Sequence, residues 1–249
     1  MPTDYRDTPR ESRILDRGGK EANLAAFGFS TANTAVANDQ AVADALGDGH
    51  TRLFIPAGAP GSRYKYGDVL AALPKGVTLR GALYERTVLE YDGAIGRAFR
   101  PAAGAGTNVQ VEDLSVVSGS PGAGVAVYLD ECQWVGFDRV WFHSFAQGVE
   151  FNVNPLGFTA YVVFDRCHII GAPLGLRAQD GTNHCAFVRG RIQSSRGGGA
   201  GRGAELHGVE MFNLSGTAIE DSDCCLYVDS AEAVVVAAEM TLEPGAGGK

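Results

Sequence analysis

Apolar and polar residues alternate along this chain in short runs, and the runs recur at a steady interval. From residue 125 onward, segments beginning Val127-Tyr-Leu-Asp, Val149-Glu-Phe-Asn, Leu176-Arg-Ala-Gln, Ala204-Glu-Leu-His and Leu226-Tyr-Val-Asp share one plan. Each sets an apolar residue, a larger polar or aromatic one, an apolar one and then a hydrogen-bonding one, the period-two pattern of a strand. Their starts lie 22, 27, 28 and 22 residues apart. A second series, starting at Phe137, Phe164, Phe187, Leu214 and Val236, has steps of 27, 23, 27 and 22. Two landmarks with one pitch of roughly 25 residues point to a stacked solenoid. No segment keeps apolar i, i+3, i+4 spacing over ten residues, so the repeats are strands and not helices. An antiparallel sandwich would need this spacing to be coincidence. The pattern predicts a parallel β-solenoid.

Alternation also sorts the faces. Val127, Leu129, Val149, Phe151, Leu176, Ala178, Ala204, Leu206, Leu226 and Val228 are expected to point inward. The residues between them then form outward columns with one member per coil, at the roughly 4.8 Å spacing of paired strands. One column is Tyr128, Glu150, Arg177, Glu205 and Tyr227. The other is Asp130, Asn152, Gln179, His207 and Asp229.

Composition narrows the class. The chain has 249 residues, 45% of them hydrophobic, which is ample for one core. Its 34 glycines are spread along the chain, as many short elements and turns require. A net charge of −8 argues against a nucleic-acid partner, which would select a basic surface. No run of about 18 apolar residues exists to span a membrane. The N-terminal stretch lacks the apolar centre of a secretory signal. Five cysteines without CxxC spacing read as small buried hydrophobes, not disulfides or a zinc site.

The N-terminal half carries a resemblance. Asn38-Asp-Gln-Ala-Val-Ala-Asp-Ala-Leu46 reads as a short amphipathic helix capped by Asn38 or Asp39. Thr51-Arg-Leu-Phe-Ile-Pro-Ala-Gly58, Leu73-Pro-Lys-Gly-Val-Thr-Leu-Arg-Gly81 and Thr87-Val-Leu-Glu90 follow it. This order resembles the opening of the pectate-lyase-like β-helix superfamily, which includes many bacteriophage tailspikes and depolymerases. The upstream "FGAxGDGxxDD" run of that superfamily survives only as fragments at Ala26-Phe27-Gly28 and Asn38-Asp39. The resemblance implies an all-β, right-handed parallel β-helix of about 8 coils with a short N-terminal capping helix. It also implies a polysaccharide partner and a homotrimer, while leaving chemistry open, since such folds host lyases, hydrolases, epimerases and inert binders.

Three segments are expected: an N-terminal arm or attachment segment over 1–37, the β-helix over 38–243, and a C-terminal linker over 244–249. A β-helix needs its open end covered. The tail therefore predicts a longer parent chain or a partner subunit at that end. The expected location is the virion or the extracellular space, without a classical signal peptide.

The outward columns suit a sugar. Tyr128 and Tyr227 offer faces for pyranose rings, while Asp130, Asn152, Arg177, Gln179, His207 and Asp229 offer hydrogen bonds. Glu150 and Glu205, two coils or roughly 9.6 Å apart, would stand near the separation of an inverting acid and base. The same Glu-Arg-Glu order is also what a plain cross-strand ion-pair ladder shows. Arg139, Arg166 and Arg189 form a further column beside Asp138 and Asp165, read as a solvated, charge-balanced face. Trp141, His168 and Arg191 could extend a groove. Glu220-Asp-Ser-Asp223 has hard oxygen ligands but reads as an acidic turn, so no metal or cofactor is expected. The expectation is a tailspike-like protein that binds, and in one version cleaves, a bacterial surface polysaccharide. Its rivals are a non-catalytic adaptor with Trp134, Phe158 and Tyr161 as interface positions, and a uronate lyase or epimerase with Arg177 or His207 as base.

Overall fold

The repeat seen in the sequence is the structural repeat. A computed structural model describes residues 20–104, 106–151, 158–193, 201–236 and 241–244, and they form a right-handed parallel β-helix of about seven turns, close to the eight expected. Every strand pairing is parallel, as stacking one coil on the next demands. Among the described residues fifteen strands form one continuous sheet, six form another and two form a third.

The long sheet bends into two faces. The strand Gly136–His143 pairs with Val163–Asp165 before the bend and with His168–Ile170 after it. At the bend four successive coils each have one residue with left-handed backbone: Asp113, Arg139, Arg166 and Arg189 have φ between 54° and 57°. A single left-handed residue turns a strand without a loop, so two faces remain in one sheet. The six-stranded sheet is the third face, running from Arg97–Phe99 through Val125–Leu129, Gln147–Phe151, Leu174–Ala178 and Arg202–His207 to Cys224–Asp229.

Both sequence series hold their register. Val127, Val149, Leu176, Ala204 and Leu226 align rung by rung, as do Phe137, Phe164 and Phe187. The phenylalanine rings stack inside, at 4.7 Å and 3° for Phe137 on Phe164 and 5.6 Å and 21° for Phe164 on Phe187. Burying each such ring is worth about 1.5–3 kcal/mol. The expected inward residues are buried through Leu206. Leu226 is only half-buried and Val228 is exposed, because among the described residues no strand follows Cys224–Asp229 on that sheet.

Glycine sets the width of the barrel at one place. Gly148, Gly175 and Gly203 align in the six-stranded sheet, facing Ile169, Ile192 and Ile219 of the opposite face. A Cβ on Gly175 would stand 2.5 Å from the Gly203 carbonyl oxygen, and the Ile192 methyl is closer still. The sheets meet there with main chain against side chain.

The N-terminal helix is longer than expected, Ala35–Gly47, and its cap is Thr34, whose Oγ1 accepts from the Ala37 amide at 3.3 Å. Asn38 and Asp39 are buried and do other work. Asn38 accepts from the Ser30 amide and donates to the Lys65 carbonyl at 2.7 Å. Asp39 accepts from the Gly67 and Val69 amides at 3.0 Å, capping the short helix Asp68–Ala71 of the next coil. Lys20–Asn23 already pairs with His50–Ile55, so the stack takes in residues the sequence assigned to an arm. Cys132, Cys167, Cys185 and Cys225 are buried, Cys224 is half-buried, and all five are free thiols. Burial pushes the Cys132 and Cys185 thiols up to about 12, so neither is a nucleophile at neutral pH.

Candidate functional site

The column expected to carry the chemistry exists, in register. Tyr128 pairs with Glu150, Glu150 with Arg177, Arg177 with Glu205 and Glu205 with Tyr227. His207 pairs with Asp229 in the neighbouring column. Asp130 and Gln179 follow the ends of their strands, and Asn152 lies outside the described residues.

What the members do differs from the expectation at two rungs. Tyr128 is not an open platform: it is 5% exposed, and the Arg97 guanidinium of the preceding coil covers its ring at 3.5 Å. Glu205 is 2% exposed and held from two sides. Arg177 Nε donates to one carboxylate oxygen at 2.9 Å, and Arg202 Nη1 donates to the other. Burial alone would raise the Glu205 pKa, but the hydrogen bonds and charges of Arg177 and Arg202 outweigh it and hold the group below the usual carboxylate range. A general acid needs the opposite shift. Glu205 is placed as a counter-ion, with both of its carboxylate oxygens bonded by arginine. Glu150 is half-buried, and no other described residue forms an ion pair with it.

The open part of this face lies toward the C-terminal coils. Tyr227 is 41% exposed, with the Arg202 guanidinium 5.5 Å from its ring centre and the His207 ring at 5.4 Å, tilted 46°. His207 lies 3.9 Å from the Glu205 carboxylate and 3.8 Å from that of Asp229, beyond hydrogen-bond reach. Arg177 borders the cluster through its bond to Glu205. The cluster presents one aromatic face among donors and acceptors. Arg202 was missed in the sequence because the glycine-rich run that ends at Gly203 reads as a loop, whereas the strand already begins at Arg202.

Beyond the bend, the groove-like face anticipated at Trp141, His168 and Arg191 is an aromatic ladder. Tyr84 stacks on Trp141 at 4.5 Å, and Trp141 on His168 at 4.6 Å and 9°. Arg191 Nε donates to Glu220 at 2.9 Å, and Gln193 donates to Asp221 at 2.9 Å. These bonds and that of Asp223 to the Gly201 amide occupy the acidic turn. No grouping of metal ligands occurs among the described residues. His143 and His168 are pushed below the ordinary imidazole range, chiefly by burial, with His168 and Arg63 adding for His143 and Arg191 for His168.

The arginine column at the bend is a closed ladder. Arg139 donates to Asp113 and Asp138, Arg166 to Asp138 at 2.8 Å, and Arg189 to Asp165 at 2.8 Å. Each arginine reaches the aspartate of the preceding coil, which is the charge-balanced face expected. The acidic partners leave little of its charge for a polyanion.

The corner after the six-stranded sheet is of another kind. Trp134, Tyr161, His184 and Met211 align there on successive coils. Trp134, Tyr161 and His184 have φ of 61°, 57° and 49°, a conformation that costs a bulky L-residue about 1–2 kcal/mol. Trp134 stacks on Tyr161 at 4.3 Å and 9°, and Tyr161 on His184 at 5.4 Å. A separate cavity of about 280 Å³ is lined by Asp68, Arg97, Arg100 and Asp130 among others, and Asp130 Oδ1 is enclosed without a hydrogen-bond partner there.

No known protein family and no curated protein matches the sequence. Solved structures match by shape. The chain is similar to PfbA, a surface adhesin of Streptococcus pneumoniae, with 11% identity and a TM-score of 0.51, over 85% of this chain and 62% of that one. It also resembles ORF18 of Geobacillus virus E2, with 11% identity and a TM-score of 0.47, over 91% of this chain and 61% of that one. A third match is the A-module of the Azotobacter vinelandii mannuronan C-5 epimerase AlgE6, with 13% identity and a TM-score of 0.31, over 88% and 79%. At this identity the adhesin likeness is one of fold, and the chain spans 62% of the adhesin's length. The class defined is the parallel β-helix. Among the described residues no helix is long and apolar enough to cross a membrane.

Proposed function

We propose that this chain is a tailspike-like β-helix that binds a bacterial surface polysaccharide, in the virion or outside the cell, as a homotrimer. The observation that carries the reading is the cluster at the C-terminal end of the six-stranded sheet. There an exposed Tyr227 is flanked by Arg202, His207 and Asp229, with Arg177 one coil back. A sugar ring against Tyr227 would bury apolar face, while the flanking groups bond its hydroxyls. Binding without cleavage by a Glu150–Glu205 pair is the version supported, because Glu205 is committed to two arginines.

The test is direct binding of capsule and O-antigen preparations from candidate hosts. Tyr227→Ala and Arg177→Ala are expected to weaken binding while the wild type releases no oligosaccharide. Wild-type protein that binds none of the preparations would overturn the reading. Oligosaccharide release abolished by Glu150→Gln would replace binding with hydrolysis.

A further inference from the structure

The Tyr227 cluster leaves the corner ladder of Trp134, Tyr161, His184 and Met211 unexplained. Its backbone is strained at three rungs, and the residues that bear the strain are large aromatics. Glycine or asparagine would take the left-handed conformation at lower cost. The rings do not recover that cost by burial, since Trp134 is 45% and Tyr161 39% exposed. Nor does the bend require them: at the other corner the same conformation is held by Asp113 and three arginines, all engaged in ion pairs. Strained, exposed and mutually stacked rings point to a surface kept for contact.

The shape of the surface selects the occupant. Four rungs at strand spacing extend roughly 14 Å, with Phe158 also exposed three residues before Tyr161. That is small against the roughly 800 Å² that each partner buries in a stable protein interface. One face of Trp134 is covered by Tyr161, and among the described residues no other ring or cation stacks on it. The residues beside the rings are Gln133, Asn183 and Glu210. Asn183 Nδ2 donates to Glu210, while Asn183 Oδ1 is enclosed with no hydrogen-bond partner. An aromatic face edged by amides and one carboxylate fits a sugar ring with its hydroxyls, and the carboxylate disfavours an anionic chain.

We propose that this corner is a second carbohydrate site, which takes a neutral glycan with one ring stacked on Trp134 and hydroxyls bonded by Gln133 and Glu210, Asn183 holding the Glu210 carboxylate in place. It extends the polysaccharide-binding reading to a separate surface and does not share residues with the Tyr227 cluster.

The test exploits the strain. Trp134→Gly removes the ring and relaxes the left-handed backbone, so the variant is expected to fold, with an unchanged far-ultraviolet circular dichroism spectrum. The chain has two tryptophans, so a Trp141→Phe background leaves Trp134 as the sole tryptophan, excited selectively at about 295 nm away from the tyrosines. Titration with dextran, cellohexaose and chitohexaose is expected to shift that emission for at least one of them, while polygalacturonate leaves it unmoved. Trp134→Gly should weaken binding of the same neutral glycan roughly tenfold, followed by calorimetry, and Tyr227→Ala should not. Neutral binding lost in Tyr227→Ala but retained in Trp134→Gly overturns the corner site and leaves the Tyr227 cluster standing. Loss of an oligomer in Trp134→Gly, without any glycan effect, overturns it in favour of an interface between copies.

Discussion

Arg177 and Glu205 occupy the same outward column one coil apart, joined by a 2.9 Å bond from Nε to a carboxylate that is itself almost wholly buried. The pair is unequal, because the arginine keeps contact with water while the glutamate has none to fall back on. The consequences of cutting it depend on which partner is removed.

Replacing Glu205 by Gln leaves shape intact but strips two guanidinium groups of their anionic acceptor. Both arginines can rehydrate, so the expected loss is about 1–2 kcal/mol, smaller than for a fully buried pair. The sign with pH follows from the lowered pKa of Glu205. Its contribution is complete above the ordinary glutamate pKa and lost as pH falls through the lower folded value. Thermal melts of wild type and Glu205→Gln should converge on acidification. Parallel curves at all pH values would show that the clamp carries no stability.

Gly175→Ala is expected to destabilise the protein by roughly 1–3 kcal/mol or more, since its methyl would meet both the Gly203 carbonyl and the Ile192 side chain. Ile192→Ala in the same chain should recover only part, because the carbonyl remains. Chemical denaturation of the single and double variants measures this. A neutral Gly175→Ala would mean that the two sheets can move apart.

His143 and His168 titrate below the ordinary range in the folded chain, so the unfolded chain binds more protons just below that range. Stability should therefore fall as pH drops from about 7 toward 5. This window lies above that of Glu205 and separates the two effects. His143→Gln with His168→Gln should flatten the slope. Two-dimensional NMR titration of the imidazoles reads the pKa values directly, and values at or above the ordinary range would refute the prediction.

The sequence made the solenoid legible because alternation and pitch are local properties, and both series hold register from Phe137 and Val127 onward. It also ordered the column Tyr128 to Tyr227 correctly. What it missed were side-chain contacts outside the alternating pattern, from a neighbouring coil or from the same strand. Arg97 covers Tyr128, and Arg202 closes on Glu205, through contacts between residues whose separations carry no period. The helix cap was misplaced for the same reason. Asn38 and Asp39 look like caps, yet their partners are Ser30, Lys65, Gly67 and Val69. Left-handed corners at Trp134 and Tyr161 were invisible, because aromatic residues give no hint of that backbone.

The aligned glycines at 148, 175 and 203 act as a caliper. Where they stand, bare main chain on one wall meets an isoleucine on the other, so the gap is one peptide and one branched side chain wide. Substitution elsewhere in the core can exchange one hydrophobe for another. Along this line the bore has a single gauge, and any lineage that lengthens the rod must add coils that honour it.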